Sequence, residues 1–158
     1  MITLPDPLHP AIVHFPIALL IIGSLVAIGA VFTTKLNIRF WCAMILAAGA
    51  LGAAAATWSG EEDEEKIEGI SAAMNETLEE HEEWGERARN LGILSAVFAI
   101  AALVTTPKSL KVSRALTVIT AVVSITASYA VMEAGHYGGE LVYKHGAGMK
   151  TESVEESD

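Results

Sequence analysis

The stretch Ala11-Ile12-Val13-His14-Phe15-Pro16-Ile17-Ala18-Leu19-Leu20-Ile21-Ile22-Gly23-Ser24-Leu25-Val26-Ala27-Ile28-Gly29-Ala30-Val31-Phe32 contains no Asp, Glu, Lys or Arg. As a helix, a run of this length crosses a hydrocarbon core of roughly 30 Å. Three further apolar runs follow, at about residues 40–58, 88–106 and 115–134, with almost no charge. In lipid every backbone polar group must find its partner inside the protein, so these runs are read as helices. The fold class is therefore an all-α four-helix transmembrane bundle. No proline interrupts the run interiors. Pro10 and Pro16 fall in the opening turns of the first, where a missing N–H matters least.

Composition agrees. The chain has 158 residues, 52% of them hydrophobic, and a mean hydropathy of +0.43, too apolar for an ordinary soluble domain. The length accommodates one membrane domain, residues 1–150, and leaves 151–158 as a disordered acidic tail. A net charge of -9 excludes nucleic acid, because no basic stripe is available to neutralise phosphates. The single cysteine, Cys42, excludes a disulfide within the chain. Met1 to Pro7 lacks the positive region of a signal peptide, and the first apolar run is read as a retained helix.

The connections differ in charge. The first, Thr33 to Arg39, carries Lys35 and Arg39 and no acid. The third, Pro107 to Arg114, carries Lys108, Lys111 and Arg114 and no acid. The middle connection, residues 60–87, is long and acidic and begins Glu61-Glu62-Asp63-Glu64-Glu65. With four spans, both termini share a side with this middle segment, and all 19 acidic residues fall on or near that side. The positive-inside rule places the short basic loops in the cytoplasm and the termini on the periplasmic side of a bacterial inner membrane. Ile70, Met74, Leu78 and Trp84 recur at near-helical spacing, so the third helix is expected to extend outside the membrane through Glu76 to Arg87. The acid run reads as a solvated face or as a cation-binding surface. The small-residue stretch Ala47 to Ala56 of the second run reads as a close-packing face, or as room for a flat cofactor.

All five histidines, His9, His14, His81, His136 and His145, fall at or near helix ends on the outer side. Histidine near a membrane is a functional candidate by default, and neutral imidazole is the commonest protein metal ligand. Haem iron takes an axial imidazole on each face, which two helices can supply. Copper, zinc or non-haem iron would want three or four clustered ligands, with Asp6, Glu80, Glu83, Glu133 and Glu140 available to complete or orient them. Each histidine also has a plainer reading as an interfacial or capping residue. Trp41, Trp58, Trp84, Tyr137 and Tyr143 read as interface aromatics. Phosphate loops, nucleophile–base sets and CxxCH are absent from the sequence.

Two motifs carry a family resemblance: Leu8-His9-Pro10-Ala11-Ile12-Val13-His14-Phe15-Pro16-Ile17-Ala18-Leu19-Leu20 near the start and Gly138-Gly139-Glu140-Leu141-Val142-Tyr143-Lys144-His145-Gly146-Ala147-Gly148-Met149 near the end. Together with the four-span layout they resemble the bacterial membrane family called domain of unknown function 2231. The resemblance implies a small membrane domain of a kind sometimes fused to Rieske iron–sulfur or c-type cytochrome modules, hence electron transfer at the outer face. His9, His14 and His145 match the motif positions. His81 fits a histidine before the third span, and His136 is the weakest match.

The resulting expectation is a b-type cytochrome-like electron-transfer subunit rather than a stand-alone enzyme. It would hold one or two haems b through His14 and His81 first, then His9 and His145. Its partners would be membrane lipid and a redox protein such as a c-type cytochrome, a Rieske protein or a quinone enzyme, within a larger complex or a homo-oligomer. The alternative is a non-haem metal-binding or purely structural docking subunit. The topology is directly testable. A cysteine introduced at Ser109 is expected to resist an impermeant thiol reagent in intact cells while one at Ser71 reacts, and reversed labelling would invert the orientation.

Overall fold

The computed structural model describes residues 8–64 and 71–147. The tail 151–158, Asp6, Ile70 and the end of the closing motif from Gly148 lie outside the described residues. Among the described residues there are only helices: α1 (His9–Ile12), α2 (His14–Val31), α3 (Leu36–Glu64), α4 (Ala72–Thr105) and α5 (Leu110–Tyr143). The helix α1–α2, α3, α4 and α5 are each long and apolar enough to cross a membrane. The first span breaks at Val13 because Pro16 has no N–H to give to the carbonyl of Ile12.

Each long helix packs on its sequence neighbours, and α2 also closes against α5, giving an antiparallel up-down-up-down ring. The distribution of side chains reverses that of a soluble bundle. Leu20 and Leu46 are the large aliphatic anchors of the interior, and almost everything else buried there is alanine, glycine, serine or threonine. Leu25, Leu51 and Val122 stand 62%, 74% and 60% exposed on the outside. Lipid tails are as apolar as leucine, so helix association gains nothing from burying large aliphatics; small residues instead let backbones approach and gain dispersion contact. The buried hydroxyls are satisfied locally. Ser24, Ser95 and Ser124 donate to carbonyls three residues back, and Thr117 and Thr120 to carbonyls four residues back. Ser128 reaches across to the carbonyl of Leu20 at 3.2 Å, joining α5 to α2.

The helices overrun the apolar segments read from sequence. α4 and α5 have 34 residues each, about 51 Å at 1.5 Å per residue, against a hydrocarbon thickness of roughly 30 Å. α4 starts at Ala72, capped by the Ser71 hydroxyl accepting from the N–H of Met74 at 3.2 Å. α5 continues from the expected end at 134 to Tyr143 because its extension has a partner: Leu141 packs with Met74 and Leu78, and Ala147 closes the cluster. Gly146, at φ 71°, turns the chain back so that the Ala147 N–H can bond the carbonyl of Leu141 at 2.9 Å.

The tightness of the small-residue core sets a prediction. A Cβ on Gly23 would lie 2.6 Å from Cδ2 of the fully buried Leu46, whereas one on Gly29 meets nothing within 4 Å. Gly23→Ala combines overpacking of about 1–3 kcal/mol with a helix-propensity gain of about 1 kcal/mol, a net loss on the order of 1 kcal/mol. Gly29→Ala retains only the gain. Reversible unfolding in detergent should rank the two on opposite sides of wild type.

Candidate functional site

The histidine-bearing end is assembled from four helix termini. His9, the first residue of α1, donates its backbone N–H to Asp63 Oδ2 at 2.9 Å and its ring Nδ1 lies 2.8 Å from the carbonyl of Ala56, both on α3. The Ser59 hydroxyl donates to the same carbonyl at 3.0 Å and stands 3.3 Å from the ring nitrogen. His81, on α4, points its Nδ1 at the carbonyl of Ala134 on α5, also at 2.8 Å. A carbonyl can only accept, so in both rings the hydrogen sits on Nδ1 and the neutral imidazole presents a bare Nε2. Among the described residues neither Nε2 has a protein partner. The two rings lie 5.8 Å apart between centroids with their planes at 90°.

Glycine makes both approaches possible. The carbonyl that seats His9 belongs to Ala56, and the residue four positions on is Gly60; a Cβ there would be 3.3 Å from His9 Nδ1. The carbonyl that seats His81 belongs to Ala134, and four positions on is Gly138; a Cβ there would be 3.0 Å from His81 Cε1. The side chain at i+4 stands over the carbonyl at i on a helix face, so its removal opens the lane through which an imidazole reaches an already bonded backbone oxygen.

His81 lies before the apolar part of α4, which begins at Ala88. Burial holds its imidazole below the usual histidine range, opposed by the bond to Ala134 and reinforced by His9. The shift favours the neutral imidazole, whose Nε2 carries a lone pair.

The other histidines fall outside this pair. His14 is exposed and turns Nδ1 to the carbonyl of Pro10 at 2.9 Å. His145 Nε2 is 3.2 Å from the Thr77 hydroxyl, which itself donates to the carbonyl of Ala73, so His145 serves to tie α5 to α4. His136 is exposed and sits 3.3 Å from Glu140 one turn on. Among the described residues no group of three or more His, Cys, Asp or Glu is placed to hold a metal ion. Three of the carboxylates named from sequence have other partners: Glu83 pairs with Arg87, Glu133 with Tyr129, and Glu140 with Lys144; Glu80 acts through its charge on Tyr137. The structure thus joins His9 to His81, where the sequence had ranked His14 with His81. The sequence reading assigns Asp63, Ala56, Gly60, Ala134 and Gly138 no place at the histidine pair; the recurring Ala-x-x-x-Gly spacing is the available signal.

Residues 5–151 match the family described as predicted membrane protein (DUF2231). The chain belongs to this family. No curated protein and no solved structure matches it. The four candidate spans agree with that description, and Asp63, Glu61, Glu64, Glu82 and Glu86 form an acidic rim beside the histidine pair.

In that rim Glu82 stands out. A hydrogen bond with the Glu64 carboxyl, then burial and the charges of Glu64, Glu61 and Glu86, raise its carboxyl to about 7. Between about pH 4.5 and 7 the folded chain keeps a proton that the unfolded chain has released, so stability falls as pH rises through that window. The thermal midpoint in detergent should decline from pH 5 to pH 8. Glu82→Gln keeps the hydrogen bond without titrating and should flatten the slope; a curve parallel to wild type would remove Glu82 from the account.

Proposed function

We propose that this membrane protein is an electron-transfer subunit that holds one haem b at its histidine-bearing end, with His9 and His81 as the iron ligands. The observation that carries the reading is the paired tautomer lock: two imidazoles from different helices, each fixed through Nδ1, each with a bare Nε2, 5.8 Å apart between centroids. Such carbonyl partners commonly orient ligating imidazoles. Haem brings four nitrogens of its own and asks the protein for two imidazoles, whereas structural zinc asks for four protein ligands and catalytic zinc for three. The donor set therefore favours haem over zinc, copper or non-haem iron. When bound, haem would supply one-electron transfer. Ala56, Gly60, Ala134 and Gly138 would keep the ligand nitrogens oriented, and burial would keep His81 deprotonated.

The surroundings fit the same reading. The termini and the α3–α4 connection would face the periplasm, with the N-terminal part of α4 standing outside the bilayer. The acidic rim would draw in a basic soluble partner such as a c-type cytochrome or a Rieske protein, with a quinone enzyme as the membrane-embedded alternative. A second reading rests on the same hydrogen bonds: each imidazole joins two helices, as a purely structural staple in a docking subunit would.

Visible spectroscopy separates the two. Protein produced with ample haem is expected to show a Soret band and sharp reduced bands. His81→Ala and His9→Ala should each lose the low-spin spectrum. Gly138→Ala, which retains every histidine but crowds His81, should weaken it. A wild-type protein without a Soret band sinks the haem reading, and loss of stability alone in the three variants leaves the staple.

A further inference from the structure

The opposite end of the bundle holds a charge with no counter-charge among the described residues. Arg39, in the first turn of α3, is 2% exposed. Its Nη1 donates to the Thr106 hydroxyl at 2.9 Å, and that oxygen in turn donates to the carbonyl of Ala102 at 2.7 Å. Nε and Nη2 are buried and have no hydrogen-bond partner among the described residues. The sequence contains no Asp or Glu between Asp6 and Glu61, nor between Glu86 and Glu133. The cations Lys35, Lys108, Lys111 and Arg114 belong to the same end, and Arg114 is near enough to repel Arg39 electrostatically.

Helix dipoles do not resolve this. The N-termini of α3 and α5 and the C-termini of α2 and α4 meet at this end, so their partial charges offset one another. Arginine stays protonated, and its five N–H groups are all donors. Buried cations are found paired, because removing an unpaired charge from water is expensive. Beside Arg39 is a cavity of about 10 Å³, bounded by Ala30, Cys42, Ala99, Ala102, Thr117 and Thr120. That is about the room for one water-sized occupant. It is too small for phosphate, sulfate or a lipid headgroup.

We propose that Arg39 and this cavity form a binding site for a single small inorganic anion of halide size. Nε and Nη2 of Arg39 donate to the ion, and the ion supplies the negative charge that the chain itself does not place here. The site is independent of the histidine pair, since the two lie at opposite ends of α3.

The test uses the whole protein in nanodiscs of zwitterionic lipid, with ionic strength held constant while sodium gluconate is replaced by sodium fluoride, chloride or bromide. A ligand that binds only the folded state raises its melting point. At a hundredfold excess over Kd the rise should be about 5–10 °C for a chain of this size. Sodium sulfate should give no such rise. Arg39→Gln should abolish the halide dependence, and Arg39→Lys should retain part of it. Should Arg39→Gln fail to fold, the wild type alone decides: chloride-35 resonances should broaden on adding protein and sharpen again when bromide displaces the ion. A wild type indifferent to halide would mean that water fills the cavity and would overturn the proposal. An equal rise with sulfate, or a rise obtained only on adding anionic lipid, would also overturn it.

Discussion

Hydrocarbon offers a peptide N–H nothing to bond to, and the rest of this structure depends on that constraint. It turns the four apolar runs into helices with their backbone bonds closed internally. It also removes the usual reason to bury leucine, since lipid solvates an aliphatic side chain as well as a protein interior does. What remains to hold helices together is close contact and a few polar bonds. The interior is accordingly made of alanine, glycine and hydroxyl residues, while leucine, valine and phenylalanine face outward.

Close approach has a second consequence: it makes backbone carbonyls on one helix reachable by polar side chains of the next. A carbonyl oxygen has two lone pairs, and both ends of this bundle use them to receive side chains. His9 takes the carbonyl of Ala56 and His81 that of Ala134, each beside a glycine one turn further on. At the other end the carbonyl of Ala102 accepts from both Thr106 and Ser113, each at 2.7 Å. Arg39 hangs on this relay through Thr106. Interhelical bonds of this kind are individually modest in membranes. Their larger role here is to fix orientation, because a ring held at one nitrogen presents the other in a defined direction.

The spans and the end at which the histidines gather were legible because hydropathy and charge report directly on what lipid permits. His9 and His81 are among the sequence-derived ligand candidates because histidine at a membrane face is a functional candidate by default. Their pairing was not legible. His14 and His9 are five residues apart and share a motif, but the break that Pro16 imposes at Val13 sends His9 toward α3 and leaves His14 on the outside. Helix phase around a proline break is not set by hydropathy. From the sequence Arg39 counts as one of the loop cations that orient the chain, since it shares a short acid-free connection with Lys35. Its burial follows from packing against α4 and α5, to which the sequence around it gives no clue. The helical continuation of α5 beyond its apolar span is not legible in the sequence, because Leu141 finds its partners, Met74 and Leu78, more than sixty residues away.

The two histidines are held by unequal means. His81 belongs to a helical hairpin whose extended end has its own small core, so its position is set by the packing of α4 on α5. His9 belongs to a four-residue helix with no buried residue, and hydrogen bonds from its N–H and its ring to α3 fix it there. Segments with few buried contacts open at lower free energy than the domain as a whole. Any change in the spacing of the two imidazoles therefore falls on α1 and leaves the α4–α5 hairpin in place. Asp63 is then more than a helix-terminal acid: its bond to the His9 N–H couples the position of one imidazole to the acidic rim that also contains Glu64 and Glu82.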